Sequence, residues 1–376
     1  MRFIKNTLLT AGLTAGLTLG LPLTVAAQTF TYGSFVPSTD YLNTDTLPVV
    51  FAELEKNTDG EVKWDLIVGG QLADGVSTFP AVEDRLMEGG LAAPFFSPSS
   101  MPNIAFLYSI VVSTEDVVAL TGAAIETTFL DCPGCMEDAK RTNSIPFGGF
   151  SGAPVLLMCT EPVSSLDDIK KMRVRANGGI GDLVSGAGAS QVAVTLAESV
   201  TLLQRGGIEC VVGAADWLVT YGYGEKAKFL LEEPLGMYAP VMGLLMNRDA
   251  FHELSPKGQE ATLRASARLS AIHSVGNFIV QTDEVLKEQM ANNGVKLVPA
   301  ADDLRDYIRA FPEADRANRI EAGKTLGVDD PEALMNAYAK NFEKWKGLSE
   351  TIGTDTDAFT QALWDEVFSK VDADTL

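Results

Sequence analysis

Residues 167–179 read Asp-Asp-Ile-Lys-Lys-Met-Arg-Val-Arg-Ala-Asn-Gly-Gly. The run predicts a short helix end, a strand over 171–175, and a glycine turn that opens a helix over 180–185. Successive side chains of a strand alternate faces, so Arg173 and Arg175 point the same way. Two neighbouring guanidiniums repel unless an anion lies beside them. The planar fork of Arg matches a carboxylate with two parallel hydrogen bonds. A helix N-terminus close by also favours negative charge. This stretch is therefore expected to grip the carboxylate of a small molecule. Arg173 and Arg175 are the candidate contacts, and Asn177 is counted with them.

The same order recurs outward from it. Strand patterns at 153–159, 191–195 and 208–212 alternate with helix patterns at 198–205 and 214–221. Upstream, strands at 29–35, 61–68 and 91–96 alternate with helices at 40–56 and 78–87. Strands alternating with helices indicate an α/β sheet with right-handed crossovers. A strand at 241–247 leads back toward the first half. From Ser255-Pro256 a helical pattern runs to residue 293. At 1.5 Å per residue it would be roughly 55 Å long, enough to lie along two domains. Residues 304–371 are helical and amphipathic.

The ends and totals narrow the function. Arg2 and Lys5 precede an apolar run over 8–23, and Val25-Ala26-Ala27 offers a cleavage site, the pattern of a secretory signal peptide. A cut after Ala27 is expected, which places the mature protein in the periplasm. No later segment is apolar enough to span a bilayer. About 350 mature residues suggest two domains. Net charge is −21, or −23 without the two basic residues of the leader. Bulk charge of that sign excludes nucleic acid and anionic bilayers as partners, so attraction to an anion must be local.

Four cysteines in an exported chain suggest disulfides. Cys159 and Cys210 sit in apolar strand patterns and are expected to bridge. Cys132-Pro133-Gly134-Cys135 is either bridged or redox active. That leaves a second function class open, a thiol–disulfide redox protein using Cys132 and Cys135. The thioredoxin-like order is glycine then proline, with a tryptophan ahead of the first cysteine; here the order is reversed and Asp131 precedes. Two histidines, His252 and His273, exclude a histidine-rich metal site. Gly179-Ile180-Gly181 imitates a dinucleotide loop, but Val184 stands where the third glycine belongs. Gly149-Phe150-Ser151-Gly152 imitates a serine nucleophile loop without a base. No cofactor, metal or catalytic residue is expected.

Gly69-Gly70-Gln71-Leu72, Lys171-Met172-Arg173-Val174, the run over 197–207, and Leu245-Met246-Asn247-Arg248-Asp249 occur in an order that resembles a known family. It is that of the solute-binding subunits of tripartite ATP-independent periplasmic (TRAP) transporters. The resemblance covers nearly the whole mature chain. It implies a two-domain periplasmic-binding-protein-like α/β fold, hinge strands, a long helix bridging both domains, and a cleft holding an organic acid by one arginine. That arginine maps onto Arg173. Leu196, Glu198, Gly213, Asp216 and Trp217 would line one wall. Ser38, Tyr41, Gln71, Phe96 and Ser97 would line the other. Arg175 departs from the family's small residue at its position; it either contacts ligand or faces solvent. Domain I is expected at 28–152 with 236–276, and domain II at 153–235 with 277–376. The implied partners are a small carboxylate and the integral membrane subunits of the transporter, with the binding protein itself a monomer and no enzyme.

Overall fold

The computed structural model describes residues 28–376; the expected signal peptide lies outside the described residues. In chain order the strands are β1 (Gln28–Gly33), β2 (Val62–Ile67), β3 (Gly89–Ala92), β4 (Ser144–Phe150), β5 (Leu156–Cys159), β6 (Arg173–Arg175), β7 (Ser190–Val192), β8 (Cys210–Gly213), β9 (Phe229–Leu231), β10 (Val241–Asn247) and β11 (Lys296–Val298). They form two sheets. A five-stranded sheet has the order β2-β1-β3-β10-β4, and a six-stranded sheet the order β11-β9-β5-β8-β6-β7. β10 is antiparallel to both of its neighbours, so β1, β2, β3 and β4 run one way. In the second sheet β6, β7 and β8 are parallel and β5 runs against them. The carboxyl ends of the parallel strands of both sheets open onto one crevice, where ligands of open α/β sheets bind.

Burial explains the strand patterns. β4 and β8 read as continuous apolar or small runs and are buried at every position, as strands covered on both faces are. The first core is built around Tyr32, Phe79, Phe147 and Phe251. The second sheet has separate clusters on its two faces, one around Val174, Ile180 and Val212, the other around Met158, Val211 and Leu230.

The long helix is present, with a change of pitch in its middle. Helix Pro256–Ile272 continues through π-helical turns over His273–Gln281 into helix Thr282–Asn292. It starts as its sequence predicts: Ser255 Oγ accepts from Gly258 N at 3.1 Å and proline occupies the first turn. Its first half packs in the first core, through Leu263 and Leu269.

The expected division of the chain needs one correction. Residues 331–376 do not join the second domain. Leu334, Tyr338, Trp345, Phe359 and Phe368 are buried in the first core. Trp345 lies against Gly122, where a Cβ would meet its ring, and donates from Nε1 to Glu126 at 2.6 Å. Of residues 277–330, β11 belongs to the second sheet and helix Asp302–Ala314 packs on it through Leu304, Ile308 and Phe311. Among the described residues, no helix is long and apolar enough to cross a membrane.

The expected Cys159–Cys210 disulfide is formed, and of the two readings left open for Cys132 and Cys135 the pair is bridged. Cys159 and Cys210 face each other directly across β5 and β8. Cys132 and Cys135 are buried at the start of helix Pro133–Arg141. A buried bridge has poor access for the thiolate attack that exchange requires, so this pair is a loop clip.

Candidate functional site

Between the two sheets lies a cavity with about 950 Å³ of empty space, its open mouth included. Its wall is mostly apolar. From the first sheet come Phe35 and Val36 after β1, Ala93, Phe95 and Phe96 after β3, and Phe150 at the end of β4. From the second sheet come Arg175 at the end of β6, Leu196 after β7, and Val212, Ala214, Trp217 and Tyr221 at and after β8. Tyr108 and Tyr238 stand together on a third side, ring centroids 4.6 Å apart, with their hydroxyls hydrogen-bonded. The π-helical turns supply His273, Asn277 and Phe278.

Arg175 is the cation of this cavity. It is 4% exposed. Its Nε donates to Val194 O at 3.1 Å. With the Asn177 amide turned so that its nitrogen donates to Ala176 O, Oδ1 accepts from Arg175 Nη2 at 2.8 Å. These contacts fix the guanidinium's plane but do not neutralise it. Among the described residues, no carboxylate lies within ion-pair distance of Arg175. Burying an unpaired charge costs several kcal/mol, about what removing one member of a buried ion pair costs. An anion in the cavity would remove that cost.

Arg173, the arginine expected to hold the ligand, is not in the cavity. It is exposed and pairs with Glu209 through its guanidinium, while its Nη2 also donates to Gly206 O at 2.8 Å. Glu209 holds the Arg173 pKa up and is itself held below the usual carboxylate range by the pair. The reason lies in strand direction. Alternation puts both arginines on one face, but Arg173 begins β6 and Arg175 ends it. Two residues of strand separate them by roughly 7 Å. Only the carboxyl end of a parallel strand reaches the crevice.

Of the other expected contacts, Asn177, Phe96, Leu196 and Trp217 line the cavity. Ser38 and Gln71 are exposed, and Gln71 donates to Val68 O at 3.1 Å. Ser97 shares a hydrogen bond of 2.8 Å with Ser100. Tyr41 is not among the lining residues; its ring lies 6.2 Å from that of His273, which is. Glu198 caps its own helix, accepting from Thr195 N at 3.0 Å, which holds its pKa down. Gly213 sits under the Trp217 ring, where a Cβ would collide. Asp216 is 3% exposed and stands between the lining residues Ala214 and Trp217.

Asp216 was expected near the cleft and Asp40 was not; both are buried carboxyls. Asp40 lines the cavity from the first domain and accepts from Leu42 N at 2.9 Å. Burial pushes its pKa up to about 6. Burial, then repulsion from Asp40, pushes that of Asp216 up to about 7. Asp216 Oδ1 and Asn277 Oδ1 have no hydrogen-bond partner among the described residues. His273 is buried, its pKa lowered to about 3 by desolvation, so it is neutral; its Nδ1 lies 3.2 Å from Thr46 Oγ1. Asp40 lies between Ser38 and Tyr41, so the loop was legible while the residue was not. His273 and Asn277 carry no signal in the sequence beyond their place in a helical pattern.

Comparison with known proteins is consistent with this architecture. Residues 145–314 match the family model for bacterial extracellular solute-binding protein, family 7. Over 325 residues the chain is 22% identical to the monocarboxylate 2-oxoacid-binding periplasmic protein of Nostoc sp., covering 83% of this chain and 81% of that one. A TRAP periplasmic solute-binding protein from Bordetella bronchiseptica, solved with bound (R)- and (S)-mandelate, superposes with a TM-score of 0.72 at 23% identity, covering 84% of this chain and 99% of the other. A marine metagenome TRAP solute-binding protein specific for aromatic acid ligands superposes with a TM-score of 0.74 at 16% identity, covering 84% and 99%. The family model matched over residues 145–314 and the two-sheet fold shared with solved TRAP solute-binding proteins agree in what this chain is similar to.

Proposed function

We propose that the protein captures a small organic monocarboxylate in the cavity between its two sheets and delivers it to the membrane subunits of a TRAP transporter. The observation that supports this most is Arg175, a buried guanidinium without a carboxylate partner among the described residues, in a largely apolar cavity. A carboxylate laid on its free N–H groups would form charge-assisted hydrogen bonds in a place where water no longer competes. The apolar and aromatic walls suit a ligand with a hydrophobic body. That fits the ligands named for the similar proteins, a 2-oxoacid, mandelate and aromatic acids. Export through a cleaved leader and work in the periplasm as a monomer complete the reading. Nothing is converted; the ligand is held and released.

The test is calorimetric titration across a set of organic acids, with Arg175→Ala and Arg173→Ala in parallel. Arg175→Ala should weaken the best acid by at least about 100-fold, the loss of two charge-assisted hydrogen bonds. Arg173→Ala should stay within about threefold, because its partner Glu209 is part-exposed and outside the cavity. Full affinity in Arg175→Ala would end the reading.

A further inference from the structure

The cavity has an excess of acceptors that a plain carboxylate cannot use. Asp40, Asp216 and Asn277 come from three different elements: the loop after β1, the turn after β8, and the π-helical turns. Asp40 is 9% exposed, Asp216 and Asn277 3% each. One oxygen of Asp216 and the amide oxygen of Asn277 have no donor among the described residues. Water-inaccessible acceptors without donors are rare in folded proteins, and each costs desolvation energy until a donor arrives. Asp216 also acts electrostatically on Tyr221 and Tyr238, both of which line the cavity, and Asp40 acts on Tyr221. The two carboxyls are thus part of the cavity's field although Asp216 is set back in its wall.

Charge balance says what kind of donor. The wall carries one guanidinium, Arg175, and one carboxyl, Asp40, with a second carboxyl, Asp216, buried between the lining residues Ala214 and Trp217. Once a ligand carboxylate neutralises Arg175, the carboxyls remain. A hydroxyl would supply one hydrogen bond and no charge. An ammonium supplies three donors and a positive charge, which matches three acceptors and offsets the carboxylates. We infer that the ligand is a zwitterion, an apolar or aromatic α-amino acid whose carboxylate lies on Arg175 and whose ammonium lies among Asp40, Asp216 and Asn277. The inference rests on the carboxylate reading of Arg175. Burial, then repulsion from Asp40, holds a proton on Asp216 in the ligand-free protein, and a cationic donor seated there would offset both.

The experiment uses size-matched series on the mature protein, followed by calorimetry. The probes are phenylalanine, 3-phenylpropionate, 3-phenyllactate and phenethylamine, with leucine and alanine and their deaminated and hydroxylated analogues alongside. At least one amino acid should bind about 100-fold tighter than its deaminated partner, the worth of two charge-assisted hydrogen bonds. The hydroxy acid should fall between them. In Asp40→Asn and in Asp216→Asn, which keep shape and lose charge, that preference should fall toward one. Equal binding of amino and deaminated acids in every series overturns the inference, as does a hydroxy acid that equals its amino acid, or binding by no member of any series. If deaminated acids bind well and need Arg175, the inference fails while the carboxylate reading stands. If phenethylamine binds as phenylalanine does and Arg175→Ala changes neither, the carboxylate reading itself fails.

Discussion

Asp216 shows at the scale of one side chain how the fold stores a cost for its ligand. Its carboxyl is buried beside Asp40, and its pKa stands at about 7 against an ordinary 3.8. A folded-state pKa above the unfolded one means that the folded protein holds the proton more tightly. The stabilising contribution is complete below about pH 4 and lost as pH rises through about 7. Its upper limit is on the order of 4 kcal/mol, less whatever Asp40 absorbs by titrating with it. Asp216→Asn cannot ionise. It should melt above the wild type at about pH 8, with the gap closing toward about pH 5. A pH-independent gap in thermal melts would show that the carboxyl is not opposed by its surroundings. At the same scale, Arg173 and Arg175 mark the limit of reading side chains from sequence. Alternation correctly put them on one face, and the family resemblance pointed to the first. Neither says which end of a three-residue strand meets the crevice. That depends on strand direction in the finished sheet.

The elements were legible to different degrees. Strands buried along their whole length announce themselves as apolar runs, and β5, β8 and β10 were found that way, whereas β4, with Pro146, Gly148 and Gly149 in its run, was not. Helix Pro102–Ser109 and the short strands β9 and β11 were not found, because they are brief and their patterns are ambiguous. The long helix was found, but its π-helical turns were hidden: widening the ladder by one residue shifts which side chains face inward, and no composition marks it. That shift brings His273, Asn277 and Phe278 to the cavity. The two disulfides differ as elements do. Cys159–Cys210 closes a span of 51 residues and Cys132–Cys135 one of 3. Loop-closure entropy then predicts that removing the first bridge by paired Ala substitution costs about 4 kcal/mol and removing the second about 2. Equilibrium denaturation of the two double variants measures the order. The reverse order would mean that strain or residual unfolded structure, not chain entropy, sets their worth.

At the scale of the whole molecule, the chain passes between the two sheets four times. β4 leads through residues 151–155 into β5, residues 232–240 lead back to β10, the long helix passes to the second sheet, and residues after Ala314 return to the first core. The last passage was misread because amphipathy shows that a helix is packed but not against which core. Gly152 N donates to Tyr238 O at 3.1 Å and Val155 N to Gly236 O at 3.0 Å, so two of the passages are laced to each other. The third passage adds the π-helical turns to the cavity wall. Strands so tied cannot slide apart, and opening must take the form of a bend about them, with the free edges of the sheets moving most. A ligand shifts such an equilibrium only as far as it binds the closed form better. The groups that would reward closure stand on both sides: Arg175 and Asp216 in the second domain, Asp40 in the first, with Tyr221, Tyr238 and the neutral His273 beside them. A saturating ligand should therefore reduce the radius of gyration seen by small-angle X-ray scattering. Arg175→Ala at the same ligand concentration should keep the ligand-free value. A wild-type radius unchanged at saturation, with binding confirmed by calorimetry in the same sample, would mean that the cavity fills without closure and that the four passages hold the molecule in one shape.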